Sequence, residues 1–275
     1  MDSIPGAAKD FEQPYEKLKN SLKAMGSCAV AFSGGVDSTF LLDSACQVLG
    51  ERACAYTAVT VSMPEREIER AERFCRERGI RHILVEVNQM AVEHFPENPP
   101  DRCYYCKKAI FTKLLEEAHK DGYSSVADGS NMDDCGDFRP GERALRELGI
   151  RSPLREAGLW KSQIRYLSSL RGLATAHLGS AACLASRIPY GDMITERKLE
   201  MAEKAENVLA DMGFKNLRVR IHGNLARIEL NQTDMEKMNS AGVREKVCAA
   251  FEKIGFVYTA LDMKGYRTGS MNEAL

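Results

Sequence analysis

The chain has 275 residues, 44% of them hydrophobic and 28% charged, the make-up of an ordinary globular protein with room for one large domain or two unequal ones. A formal net charge of −1 excludes a broad nucleic-acid or anionic-membrane surface, and no stretch approaches transmembrane length. Residues 1–19 lack the basic start and apolar core of a signal peptide, so the chain is expected to be cytoplasmic, with neither membrane nor nucleic acid as partner.

In chain order, residues 15–25 carry a helical pattern closed by Gly26, and the apolar run Ala29, Val30, Ala31, Phe32 reads as a buried strand. That strand breaks at Gly34-Gly35, and residues 39–49 return to helical spacing. Residues 53–61 (ACAYTAVTV) read as a second strand, and Ser62-Met63-Pro64-Glu65 as a capping box opening a charged helix to Arg78. A third strand at 81–87 leads into a proline-rich loop at 95–102 and then the CYYC stretch. A helix at 109–119 and a short strand at 124–128 follow, the latter ending in DGSNMDD. Two helical patterns at 142–148 and 160–170 precede an irregular, small-residue-rich segment at 179–191. The tail then reads as a long helix at 195–212, strands at 217–221 and 226–230, a helix through Ile254 and a strand at 257–262.

Strands alternating with helices predict an α/β fold: a parallel sheet covered by helices on both faces, over 1–193, followed by a smaller α+β domain over 194–275. Ligands in such sheets sit beyond the carboxyl ends of the strands. That rule gathers the SGGVDS loop, Ser62, the Cys103 loop and residues 128–134 on one rim.

The loop is the strongest single signal. Strand, glycine turn and helix start direct backbone N–H groups and the positive end of a helix dipole at one spot, an anion site. Gly34 and Gly35 let the main chain approach an oxyanion, Ser33 and Ser38 add hydroxyl donors, and Asp37 is read as orienting the loop or a magnesium ion. A P-loop would end in Gly-Lys-Ser/Thr, and no lysine stands here. The cluster S-G-G-x-D-S resembles the PP-loop of the ATP pyrophosphatases, which cleave ATP between the α- and β-phosphates. The plainer alternative is a βα turn that happens to hold two glycines.

Nine cysteines, an odd number in a chain this size, suit a reducing compartment. Cys28, Cys46, Cys54, Cys75 and Cys248 fall in helical or strand patterns and are expected in the core, whereas Cys103, Cys106 and Cys183 fall where irregular chain is expected. The Cys103-x-x-Cys106 spacing alone arises in about a quarter of shuffled chains of this composition, and it fits a buried pair, a redox pair or half a zinc site. With Cys183 as a third thiolate, the set fits a [4Fe–4S] cluster with one iron left open to a small ligand such as sulfide. The five histidines show no paired metal spacing, and His222 is read as structural.

Beyond the loop, the stretches CYYCKK, DGSNMDDCGDFRPG, ACLASRIPYG, RVRIHGNLARIEL and LDMKGYRTGSMN occur in the order and approximate spacing of the LarE-type ATP-dependent sulfur transferases. The resemblance covers the chain from about Tyr15 onward. It implies an enzyme that adenylates the carboxylates of pyridinium-3,5-biscarboxylic acid mononucleotide and converts them to thiocarboxylates, in nickel-pincer nucleotide biosynthesis. ATP and Mg2+ are the implied cofactors, with a [4Fe–4S] cluster on Cys103, Cys106 and Cys183 in the three-cysteine members. In sacrificial members a single cysteine of the ASRIPYG-type loop, here Cys183, gives up its own sulfur. The pair flanking Tyr104-Tyr105 makes this chain resemble the cluster type.

The same resemblance implies that Arg187, Arg218, Arg220 and Arg267 hold the substrate's phosphate and carboxylates, with Ser186 beside Arg187 and Glu206 at a family site position. Arg218 and Arg220 occupy alternate strand positions and so share a face. Asp128 at a strand end is read as placing magnesium, Asn131 as placing ATP and Arg139 as stabilising the departing pyrophosphate. Each also has a loop-capping reading, of equal standing for Asn131. Backbone around 59–62 is expected at the adenine ring. The expected partners are a small nucleotide substrate, a sulfur donor and further copies of the chain. The competing readings are a PP-loop tRNA thiolation enzyme and a nucleotide- or cluster-binding protein without turnover.

Overall fold

Successive residues of the first strand enter two different cores, as a sheet covered on both faces requires. The computed structural model, which describes residues 7–136, 140–179, 183–267 and 269–270, contains a four-stranded parallel sheet. Its strands are β1 (Cys28–Ala31), β2 (Ala53–Val59), β3 (His82–Glu86) and β4 (Val126–Ala127), in the order β3-β2-β1-β4. Cys28 and Val30 of β1, with Ala53 and Ala55 of β2, pack against α1 (Ala7–Met25), α2 (Val36–Leu49) and α3 (Glu65–Glu77). Ala29, Cys54 and Tyr56 pack on the other face against Phe111, Leu114 and Ala118 of α4 (Arg102–Lys120) and Leu145 of α5 (Gly141–Glu147). The short α6 (Pro153–Glu156) and α7 (Lys161–Leu170) complete the first face through Leu154 and Ile164.

The predicted α/β class is the class adopted. The chain forms two compact units, one of Met1–Thr60, Glu65–Asn88 and Cys103–Leu178, the other of Val61–Pro64, Gln89–Arg102 and Gly179–Leu275. The second unit holds α8 (Glu196–Asp211) and a three-stranded sheet, β5 (Arg218–His222), β6 (Leu225–Glu229) and β7 (Tyr258–Leu261). β5 and β6 form a hairpin turned by Gly223 (φ +58°) and Asn224, while β6 and β7 run parallel. The crossover between them is two helices, α9 (Gln232–Met238) and α10 (Val243–Ile254), where the pattern predicts one; the break falls before Gly242, which is left-handed (φ +80°).

Two further expectations are corrected. Cys103 and Cys106 lie in the first turns of α4, because the apolar period of that helix runs back from Phe111 to Tyr104, which is buried. Cys248 is exposed, because α10 turns Val247 and Phe251 inward and leaves the next position outside. Cys28 and Cys75 are buried as expected, and burial pushes both thiols up to about 12. Among the described residues no helix is long and apolar enough to cross a membrane.

The first unit is tied together by a carboxylate on α2. Asp43, 5% exposed, accepts from Arg78 Nη1 at 2.9 Å and Arg171 Nη1 at 2.7 Å, and from Gln47 Nε2 at 2.9 Å. Removing it takes the carboxylate counter-charge from the part-buried Arg171 guanidinium, so Asp43→Ala is expected to lower the unfolding free energy by about 3 kcal/mol in urea titration. A second expectation concerns pH. His82 Nε2 sits 2.7 Å from Thr57 Oγ1, and burial lowers this imidazole's pKa from its ordinary 6.5. The folded chain then takes up a proton less readily than the unfolded one, so this contribution is full above the ordinary histidine range and is lost as pH falls through it. Urea midpoints are expected to drop between about pH 7.5 and about pH 5.5, by less in His82→Gln. His222, lowered in the same direction by burial, adds to the background.

Candidate functional site

The strand order reverses at β1: β2 and β3 extend to one side and β4 lies on the other. The loops leaving β1 and β4 therefore flank a switch point, where open α/β sheets bind ligands. The β1 loop is closed by its own serines. Ser33 Oγ and Ser38 Oγ are 3.1 Å apart, the Ser33 N–H donates to Ser38 Oγ at 3.3 Å, and the Gly35 N–H donates to Ser33 Oγ at 3.4 Å. Gly34 is left-handed (φ +68°), a conformation that side chains disfavour. Gly35 caps α2 without a side chain, so the helix begins with no side-chain acceptor on its first N–H groups.

The β4 loop is laid directly on that helix start. A Cβ on Gly129 would stand 3.0 Å from Ser38 N and 3.2 Å from Ser38 Cα, so a side chain there would push the two backbones apart by a few tenths of an ångström. Asp128 is buried and accepts from Ser130 Oγ and, at 2.6 Å, from Ser152 Oγ. Asn131 Oδ1 takes the Asp133 N–H at 2.9 Å, and Asp134 Oδ2 takes the Asn131 N–H at 2.8 Å, which is the loop-capping arrangement.

Asp37 is the unusual group. Its Oδ2 is ion-paired with Lys161 Nζ, while its Oδ1 is buried without a hydrogen-bond partner. Burial raises this carboxyl above the usual range, with Lys161 acting against the rise. An orphaned carboxylate oxygen beside a helix N-terminus is what a hard cation would satisfy, and Asp37 fits magnesium on that ground. Lys161 was not anticipated from sequence. Its signal was a lysine in the first turn of a helix, where the dipole disfavours a cation; Asp37 and Asp133, whose Oδ2 takes the Lys161 N–H at 2.6 Å, compensate.

Cys103 and Cys106, both half-buried, stand one turn apart on one face of α4. Their helix start is anchored through Tyr104, whose hydroxyl donates to Glu147 Oε2 at 2.7 Å and whose ring carries the Arg143 guanidinium at 3.5 Å. Among the described residues no group of three or more His, Cys, Asp or Glu side chains is gathered as a metal ion requires. Arg139 lies outside the described residues.

In the second unit the predicted arginines are built into ion pairs. Arg187 makes a two-pronged pair with Glu206 at 2.8 and 2.9 Å, and Glu206 Oε1 also takes the Val219 N–H at 3.0 Å. Arg220 pairs with Glu229 at 3.1 and 2.9 Å and donates to the Ser186 carbonyl at 2.8 Å and to Ser270 Oγ at 2.9 Å. Arg267 Nη1 reaches the Gly265 carbonyl at 3.0 Å and lies 3.7 Å from Asp262. Arg218 differs: burial, and then the charge of Arg187, work against its positive charge, and it stands over the Tyr266 ring at 5.2 Å. Cys183 is exposed, and its Sγ lies 3.0 Å from Ser62 Oγ. The Cys183 carbonyl accepts from Ser186 Oγ at 2.8 Å and Arg187 Nη1 at 3.2 Å, joining the thiol's residue to the arginine pair.

Gly129→Ala is expected to lower thermal stability by about 1–3 kcal/mol, because two backbones must part to admit one methyl group. A calorimetric scan against the parent chain measures it.

No protein-family model matches the chain. An uncharacterized protein of Synechocystis is 39% identical to it over 96% of this chain and 99% of that protein. An uncharacterized protein of Methanocaldococcus jannaschii is 29% identical over 94% of this chain and 99% of its own length. Pyridinium-3,5-bisthiocarboxylic acid mononucleotide synthase of Lactiplantibacillus plantarum is 34% identical over 94% of this chain and 93% of its own length. That degree of identity across nearly the whole of both chains places this protein in the LarE-type sulfur transferase family.

Proposed function

We propose that the chain is an AMP-forming, ATP-dependent sulfur transferase acting on pyridinium-3,5-biscarboxylic acid mononucleotide. The observation that carries this reading is the end-to-end relationship to the Lactiplantibacillus synthase. Two features of the molecule support it: an anion-ready helix start under Gly35, and a half-buried guanidinium, Arg218, set among other arginines where an anion would offset its charge.

The β1 loop (Ser33, Gly34, Gly35, Asp37, Ser38) takes the triphosphate tail of ATP on main-chain N–H groups and two hydroxyls. Asp37, with its orphaned oxygen, would hold magnesium, and the ion would supply charge neutralisation for the departing pyrophosphate. Asp128 and Asn131 shape the β4 loop over the same helix start, and Arg139 is assigned to the pyrophosphate. Arg187, Arg218, Arg220 and Arg267, with Ser186 and Glu206, receive the anionic mononucleotide.

A substrate carboxylate oxygen attacks the α-phosphorus, the bond to the β-phosphate oxygen breaks, and pyrophosphate leaves. The acyl-adenylate is a good electrophile where the carboxylate is a poor one. In the single-cysteine alternative the Cys183 thiolate attacks the acyl carbon, AMP departs with the bonding pair, and loss of the Cys183 α-proton breaks its Cβ–Sγ bond, releasing the thiocarboxylate and leaving dehydroalanine. In the three-cysteine reading that the family resemblance implies, Cys103, Cys106 and Cys183 would instead hold a [4Fe–4S] cluster, which would supply sulfide in repeated turnovers. The chain acts in the cytoplasm without a nucleic-acid or membrane partner, with residues 1–193 as the ATP pyrophosphatase domain and 194–275 as the smaller one.

The test is anaerobic purification with iron and sulfide assay, followed by incubation with MgATP and the pyridinium mononucleotide. The expected outcome is one pyrophosphate released per thiocarboxylate formed, with Cys183→Ala releasing pyrophosphate but forming no thiocarboxylate. Iron-free protein whose single turnover survives Cys103→Ala assigns the sulfur to Cys183 itself. Absence of substrate-dependent pyrophosphate release overturns the reading, and salt-sensitive tRNA binding replaces it with tRNA thiolation.

A further inference from the structure

Phe32, the residue that enters the β1 loop, is held by both its main chain and its side chain. Its N–H donates to the Tyr56 carbonyl at 2.8 Å, and its ring packs against those of Phe74 and His82, with centroids 5.6 and 6.0 Å away. Its carbonyl is taken by a side chain of β2: Thr57 Oγ1 donates to it at 2.6 Å. Thr57 and Phe32 are 1% and 2% exposed, so this acceptor lies away from solvent, where losing its partner is costly. A carbonyl can only accept, so the single hydroxyl proton of Thr57 is committed to Phe32. His82 Nε2, 2.7 Å from the same hydroxyl, must then donate to it, and that bond fixes the direction of the hydroxyl.

The consequence falls on the loop. The Phe32 carbonyl and the Ser33 N–H belong to one planar peptide unit and point in opposite directions. Thr57 pins one end of that plane, and Ser38 Oγ, which takes the Ser33 N–H at 3.3 Å, pins the other. Ser38 Oγ in turn donates to the carbonyl of Gly35, the N-cap of α2, at 3.3 Å. We infer that Thr57 is a positioning residue for the anion loop: its hydroxyl sets the plane of the Phe32–Ser33 peptide and so the aim of the main-chain N–H groups that receive the triphosphate tail. This rests on the β1 loop being the ATP loop of the proposed function. Without the hydroxyl the buried Phe32 carbonyl has lost its partner, and the peptide turns toward another, carrying the Ser33 N–H away from Ser38. Strand and core do not call for that hydroxyl. Thr57 lies in the apolar run of β2, on the face shared by Ala53 and Ala55, where valine would serve as well.

The experiment measures binding of MgATP and of AMP to the whole chain by titration calorimetry, well below the unfolding transition, for the parent, Thr57→Val and Thr57→Ser. Thr57→Val is expected to weaken MgATP about fivefold, the factor carried by one net hydrogen bond. AMP lacks the two phosphates assigned to the loop and is expected to bind parent and Thr57→Val alike. Thr57→Ser, which keeps the hydroxyl, is expected to restore most of the MgATP affinity. Parent-like MgATP binding by Thr57→Val overturns the inference, as does an equal loss for AMP or a Thr57→Ser variant no tighter than Thr57→Val. Should Thr57→Val fail to fold, Thr57→Ala, which removes the hydroxyl without setting a methyl group against the Phe32 carbonyl, takes its place under the same criteria. Each of those outcomes leaves the proposed function standing, whereas a parent chain that binds no MgATP overturns both.

Discussion

Two stretches of main chain meet closely at Gly129, and the placing of the loops at the sheet's switch point depends on that meeting. The β4 loop lies this close to the first turn of α2 at a residue that lacks a Cβ. Contact at that point sets the loops after β1 and β4 side by side at the place where strand order reverses. The serines of the β1 loop bond to one another and hold its shape. The helix N-terminus carries a partial positive charge and no side-chain cap, with one buried carboxylate oxygen of Asp37 in the same loop. A buried carboxylate oxygen without a partner is costly, and Lys161 meets only the other oxygen of Asp37.

The second unit solves the opposite problem, an excess of cations in a partly buried place. Glu206 and Glu229 neutralise Arg187 and Arg220 through two-pronged pairs, fixing both guanidinium planes. Such pairs contribute more to orientation than to stability, because the desolvation cost offsets much of the attraction. Arg218 sits in the field of those fixed neighbours with its own charge disfavoured.

How much of this was legible in the sequence depended on whether the cause was local. The SGGVDS turn was readable because glycine and serine there answer to backbone geometry within six residues. The sheet and its two covered faces were readable from the period of the strands and helices. Cys103 and Cys106 were misplaced because prolines just upstream and adjacent tyrosines look irregular, whereas Tyr104 belongs to the helix's buried stripe. Cys248 was misjudged because one position on a helix turns a side chain through about 100°, from the Val247 face to solvent. Lys161 and Asp37 are 124 positions apart, and Ser62 and Cys183 are 121 apart; neither pairing leaves a trace in the local pattern.

Glu206 shows why residue type and spacing cannot replace coordinates at such a site. In a charged helix it fits a solvated face equally well, yet it binds Arg187 on two prongs and takes a backbone N–H of β5 as well. Those three bonds join α8, the Cys183 loop and the strand bearing Arg218 and Arg220 through one side chain. Its effect on the arginine cluster is therefore geometric as well as electrostatic: it sets where the Arg187 fork lies, and the Cys183 carbonyl is bonded to that same fork. The orientation of the Cys183 loop and the placing of the Arg187 charge thus meet at one side chain. Any anion drawing on Arg187 must share it with Glu206, and the cost of that competition falls on the residue that holds Cys183 in place.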